Sequence, residues 1–283
     1  MTSKKILFIS AILCCSMFFS GCGNKITAHT VKKDIKAYAK KEALLPEQNI
    51  DILITSNLNQ IDSSAINAIG NIKKEMISSG KPVLLIDNGD MVSINDANQG
   101  LDRIALMNEA EYDLASYGDS DFVFGIQAMY NMTNSSLFPH VCCNFFKTTL
   151  DVDFSYFSSY QILDIAGVKV AFIGIVNPNI INEDNKVEFL NDRTGKFLYF
   201  FKGENNPYEL YSEIQNKINE ASLEADYVIG LCHMGDSIIT SSEIKNNTVG
   251  LDAIIDEGNP NEYMTLTIGA DGIISSPSWQ SLQ

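Results

Sequence analysis

Histidine is scarce in this chain: His29, His140 and His233 are the only 3 in 283 residues. That excludes any centre built on several imidazoles. Basic residues are outnumbered, 20 Lys and Arg against 35 Asp and Glu, for a formal net charge of -15, so the body should repel nucleic acid. Cysteine supplies no disulfide framework. Of the 6, Cys14 and Cys15 lie in an apolar N-terminal run and Cys22 follows it, leaving Cys142, Cys143 and Cys232 in apolar, strand-like stretches where buried thiols are common. Beyond the N-terminus no stretch is long and apolar enough to cross a membrane. There is no internal repeat and no low-complexity tract. Gly-x-Ser-x-Gly, His-Glu-x-x-His and Gly-x-x-x-x-Gly-Lys are all missing, which removes the common hydrolase, zincin and phosphate-loop readings.

What is present begins with an export signal. Lys4 and Lys5 precede an apolar run from Ile6 to Phe19, shorter than the roughly 20 residues a membrane span needs. The run ends in Phe19-Ser20-Gly21-Cys22, and two small residues before a cysteine resemble the lipobox of bacterial lipoproteins. On this reading residues 1–21 are a signal peptide and Cys22 is acylated. The mature protein is then held by its lipid anchor to the outer face of the cytoplasmic membrane or another cell-envelope membrane. Residues 22–48 form a linker carrying Lys25, Lys32, Lys33, Lys36, Lys40 and Lys41, either a basic arm resting on anionic lipid or a solvated helical spacer. Residues 49–283 form the folded domain.

Within that domain, short apolar runs alternate with helical periodicities. Strands are expected at Ile50–Thr55, Val83–Ile86, His140–Phe145, Tyr160–Ile165, Val168–Val176, Tyr227–Leu231, Ala253–Ile255 and Met264–Ile268. Helices are expected after Ser63, which can cap the first, over Leu101–Ala110, and from Pro207. Residues 178–206, rich in Asn, Asp, Glu and Gly, read as loops. Strands that are apolar throughout, rather than alternating, belong to sheets covered on both faces. In such sheets ligands sit beyond the carboxyl ends of the strands. The polar breaks at 57–60, 87–90, 118–121, 233–235 and 256–260 are therefore the candidate site.

These same segments carry a family pattern. Ile52 to Gln60, Ile-Leu-Ile-Thr-Ser-Asn-Leu-Asn-Gln, is similar to the pattern I-L-H-T-N-D-L-H-G, and Leu84 to Asp90 is similar to the strand that follows it. Met107 to Gly125 is similar to M-N-x-x-G-Y-D-A-x-x-x-G-N-H-E-F-D-x-G. Phe138 to Asn144, Val168 to Pro178, Ala225 to Gly235 and Gly250 to Pro260 follow in the same order. Over residues 50–260 the chain resembles the calcineurin-like metallophosphoesterases, specifically their 5'-nucleotidase branch. The resemblance implies an α/β fold, a four-layer α-β-β-α sandwich with two mixed sheets face to face. It also implies a C-terminal nucleotide-binding domain in full-length relatives, which is not expected here.

The resemblance implies, too, which side chains hold two metals, and most of those are replaced. The first-loop Asp and His positions carry Asn57 and Asn59, and the metal-binding Asn position carries Asp119. Ser120 and Asp121 stand at the catalytic His and the Glu that follows it, and the last-loop histidines are Gly258 and Pro260. Asp90, at the carboxylate that bridges the metals, and His233, at a metal-binding histidine, are kept. A full dinuclear centre cannot be assembled from this set. Asp90, Asp119, His233, Asn57 and Asn59 would suit one hard divalent cation, Mg²⁺, Mn²⁺ or Ca²⁺, or none. The competing reading is that Asp90 and His233 pair with each other or with backbone. No catalytic residue stands out, since Ser120 is too weak an acid to replace an imidazole, with only Asp121 nearby to recruit. Two functions follow: a catalytically degenerate, lipid-anchored protein that binds a small-molecule or protein ligand, or a metal-dependent phosphoester hydrolase with a reduced one-metal site.

Overall fold

In the computed structural model the described residues are 42–92, 98–148, 157–182, 185–190 and 193–282. The signal segment and Cys22 lie outside them.

The first half of the domain alternates strand and helix: β1 (Ile50–Thr55), α1 (Ser63–Ser78), β2 (Val83–Asp87), α2 (Asn98–Glu109), β3 (Leu114–Ser116), α3 (Gly125–Ser135) and β4 (His140–Val141). A short ribbon strand β5 (Phe145–Lys147) precedes the hairpin β6 (Tyr160–Ile165) and β7 (Val168–Val176), and β8 (Tyr199–Phe201) completes the ribbon. Then come α4 (Pro207–Ala221), β9 (Tyr227–His233), α5 (Ser241–Asn247), β10 (Ala253–Asp256), β11 (Glu262–Ile268) and β12 (Ser278–Ser281).

One sheet has the order β12-β11-β1-β2-β3-β4 and the other β10-β9-β7-β6. In the first, β1 to β4 run parallel, with β11 and β12 antiparallel at one edge. In the second, β10, β9 and β7 run parallel and β6 is antiparallel. The period of two along each strand divides its side chains between two cores. Ile50, Ile52 and Ile54 of β1 meet Val170 and Phe172 of β7 and Ile229 and Leu231 of β9 between the sheets. Leu53, from the same β1, turns outward onto Ile66 and Ile69 of α1, while Ala171 and Ile173 of β7 turn onto Ile214 and Ile218 of α4. Both faces of each sheet are thus covered, and the architecture is the α-β-β-α sandwich expected.

The structure differs from the sequence reading in local places. Asp62, not Ser63, caps α1, its carboxylate accepting from the Ser64 and Ala65 N–H groups; such a cap contributes about 1 kcal/mol. The expected strand His140–Phe145 is broken. Asn144 is fully buried, and its amide donates to the Val176 carbonyl and accepts from the Val176 N–H, so the chain leaves β4 and re-enters as β5 in the ribbon. The 178–206 excursion contains β8. Lys25 to Lys41 of the linker lie outside the described residues; at its end the Leu44 N–H donates to Asp226 at 3.0 Å and Pro46 is buried.

Candidate functional site

The carboxyl ends of β1, β2 and β3 from one sheet and of β9 and β10 from the other converge. Asn88 makes the junction: its side chain donates to the Cys232 and Ile255 carbonyls at 3.2 and 3.3 Å, tying β2 to both strands of the facing sheet. Its own carbonyl lies 2.7 Å from His233 Nδ1. The preceding Asp87 is fully buried, accepting from the Thr55 hydroxyl at 2.7 Å and the Gly89 N–H at 3.0 Å. Burial, with only partial relief from Thr55, pushes its carboxyl well above the usual range.

The turn that follows requires glycine. Gly89 has φ 93°, and a Cβ there would strike the Tyr117–Gly118 backbone. Asp90 comes next, itself left-handed at φ 65°. One carboxylate oxygen accepts from the Ser120 N–H at 2.8 Å and the other lies 3.5 Å from His233 Nε2. Burial alone would pull the His233 imidazole down, but the Asp90 and Glu257 carboxylates raise it to about 10, while His233 and Ser120 hold Asp90 below its usual value against the cost of burial. Glu257 stands 3.7 Å from His233 Nε2 and accepts from the N–H groups of Met234 and Gly235 at 2.9 and 3.0 Å. The sequence flagged only its loop; the signal overlooked was a carboxylate directly before Gly258.

Asp119 is held by Asn177, whose amide donates to one carboxylate oxygen at 2.9 Å, while the other oxygen is buried without a partner. Burial raises its pKa to about 6 in spite of Asn177 and His233. Ser120 Oγ receives a bond from the Asn59 amide at 3.0 Å, and Asn59 Oδ1 is likewise buried and unpartnered. Asn57, left-handed at φ 58°, donates to the Gly258 carbonyl at 2.6 Å. Asp121 is committed to backbone. Its two oxygens accept from the N–H groups of Asp90, Met91, Val92 and Gly118 at 2.8–3.1 Å. Burial and the nearby Asp90 charge push it up to about 7.

Asp90, Asp119, Ser120 and Asn59 therefore do come together, at a cleft of about 520 Å³ whose remaining polar lining is amide: Gln60, Asn179, Asn182 and Asn185. Asn57 faces the last loop instead, and His233 sits beneath with both ring nitrogens turned to oxygen acceptors.

A dinuclear metal centre does not fit these residues. The single imidazole of the site is engaged on both sides, Asn57 is turned to Gly258, and of the two first-loop amides Asn59 keeps an unpartnered oxygen. The Trp279 ring lies where any side chain on Gly258 would project. Among the described residues no group of three or more His, Cys, Asp or Glu is arranged to hold a metal ion.

The fold is the α-β-β-α sandwich of the calcineurin-like phosphoesterase type, and its described residues include no cluster arranged to hold a metal ion. No protein-family model matches the chain. The trifunctional nucleotide phosphoesterase protein YfkN of Bacillus subtilis is 25% identical over 202 residues, covering 61% of this chain and 13% of that protein. The crystal structure of the calcineurin-like phosphoesterase YfkN from Bacillus subtilis superposes with TM-score 0.62 at 19% identity, covering 84% of this chain and 92% of that one. A 5'-nucleotidase precursor from Thermus thermophilus gives 0.62 at 13% identity, over 82% of this chain and 54% of that one. The NAD nucleotidase of Haemophilus influenzae gives 0.62 at 14%, over 85% and 51%. The chain spans about half the length of these two nucleotidases. At such identities the likeness is one of fold, accompanied by weak sequence similarity.

Proposed function

We propose that this protein is a catalytically degenerate phosphoesterase body, exported and anchored through acylated Cys22, that acts by binding a ligand or partner in the cleft at its strand ends. The observation that carries this reading is the internal use of the positions that hold metals in the resembled family. Asn57 donates to the Gly258 carbonyl, Trp279 covers Gly258, and His233 has an oxygen acceptor at each ring nitrogen. Phosphoryl transfer needs a charge-stabilising cation and an acid at the leaving group. Ser120 supplies neither.

A second reading, a one-metal phosphoester hydrolase, is favoured by one observation: the buried, unpartnered oxygens of Asp119 and Asn59 line the same cleft. The two are separated by measuring divalent-metal content together with turnover of a nucleotide and an aryl phosphate, before and after Asp90→Ala and His233→Ala. The binding reading expects no stoichiometric metal and no turnover in any of the three proteins. A bound ion, with activity abolished by either substitution, would overturn it.

A further inference from the structure

The cleft has a chemical polarity of its own. The described side chains lining it are amides, the hydroxyl of Ser120, the carboxylates of Asp90 and Asp119, and two aliphatic groups, with no lysine, arginine or aromatic ring among these described residues. Asp119 and Asn59 of its lining each carry one acceptor oxygen, Oδ1, that is buried and without a donor. A buried acceptor left unpaired costs about 1–3 kcal/mol, so such atoms mark a place where a donor belongs. Their immediate neighbours cannot supply it. The Asn177 amide is already given to the other Asp119 oxygen, and the Asn59 amide points to Ser120 Oγ. Asp90 offers no donor either, its oxygens being turned to the Ser120 N–H and to His233.

An anionic phosphoryl group entering here would meet two carboxylates and, among the described lining residues, no basic side chain. A group bearing several N–H donors and a positive charge would satisfy both orphaned oxygens and offset the carboxylates in a site removed from water. The amides beyond them, Gln60, Asn179 and Asn182, match hydroxyl or amide groups, and about 520 Å³ suits a molecule of monosaccharide size. We propose that the cleft binds a small polar organic molecule through a primary ammonium group seated against Asp119 and Asn59. This rests on the reading of the cleft as a binding rather than a hydrolytic site.

The test is calorimetric titration of the purified protein with glucosamine, ethanolamine and putrescine at millimolar concentration. Glucose, glucose 6-phosphate and the chlorides of magnesium, manganese and calcium serve as comparisons, and phosphatase turnover is followed in the same samples. At least one ammonium compound should bind, and neither glucose nor glucose 6-phosphate should approach it. Asp119→Asn, which keeps the shape and removes the charge, should weaken that binding by at least about tenfold, as should Asn59→Ala, with both variants keeping the wild-type circular dichroism. Binding of no ammonium compound, or binding indifferent to both substitutions, overturns the proposal. Stoichiometric binding of a divalent ion that displaces the ammonium compounds overturns it in favour of a cation. Metal-dependent turnover would instead defeat the non-catalytic reading itself, so the two failures are distinguishable.

Discussion

Asp119 is partly buried and His140 fully so, and both should leave a mark on the dependence of stability on pH. The Asp119 carboxyl is raised by burial to about 6 from its ordinary 3.8, so between those values the native state binds more protons than the unfolded chain. Stability therefore falls as pH rises through that window and stays lower above it. Asp119→Asn removes the penalty. It should stabilise the protein by about 1–2 kcal/mol at neutral pH and by little near pH 4, read from urea midpoints at the two pH values. His140 has the opposite sign. Stacked between Tyr117 and Phe138 with centroids 5.1 and 5.2 Å away, it is pulled by burial to about 3, whereas the unfolded chain takes its proton near 6.5. Its contribution is complete above 6.5 and is lost as pH falls, roughly 2 kcal/mol of it by about pH 5. His140→Phe should flatten that limb of the stability profile; an unchanged slope would show that another group sets it. The sequence reading of His140 as structural fits its one bond, to Ser136 Oγ at 2.7 Å, although its Nδ1 is buried without a partner.

The elements were legible where burial made them so. β1, β2, β7 and β9 are covered on both faces, and a strand in that position must be apolar at nearly every residue, so its sequence announces it. The break after β4 was hidden because it depends on Asn144 meeting Val176, far along the chain. β12, exposed throughout, carries no apolar signature to read. The site divides in the same manner. The loops of Asp90, Asp119, Ser120 and Asn59 were found because they end apolar runs, and the family resemblance singled out those residues. Asn88, by contrast, matters through partners on the facing sheet and Glu257 through the turn after the neighbouring strand β9, which no local pattern records. Asn88 gives the test at this scale. Asn88→Ala removes the two bonds from β2 to the ends of β9 and β10, and should cost about 1–3 kcal/mol. Amide exchange at Met234 and Gly235 should quicken more than in the remainder of β9. Uniform loss of protection would mean that Asn88 supports the whole fold rather than this junction.

For the molecule as a whole, the α-β-β-α sandwich supplies two sheets whose strand ends must be closed by something. In this chain an Asp90–His233–Glu257 cluster and the backbone-saturated Asp121 lie at that closure. A ligand that binds only the folded state raises its stability by about 2.7 kcal/mol at a hundred times its dissociation constant, so a structural metal would betray itself on removal. The unfolding midpoint should therefore be the same in chelator and in excess manganese or magnesium. A fall in chelator would assign the closing role to a metal instead.

Trp279 is the chain's 1 tryptophan, about 40% exposed, on the strand that covers the last loop. Its indole emission is consequently an intrinsic optical probe of the last loop and the edge strand, free of contributions from the rest of the domain when excited selectively. Detachment of the edge strand would shift that emission to the red before far-ultraviolet dichroism changes, so fraying at that edge and global unfolding can be followed separately in a single unlabelled sample.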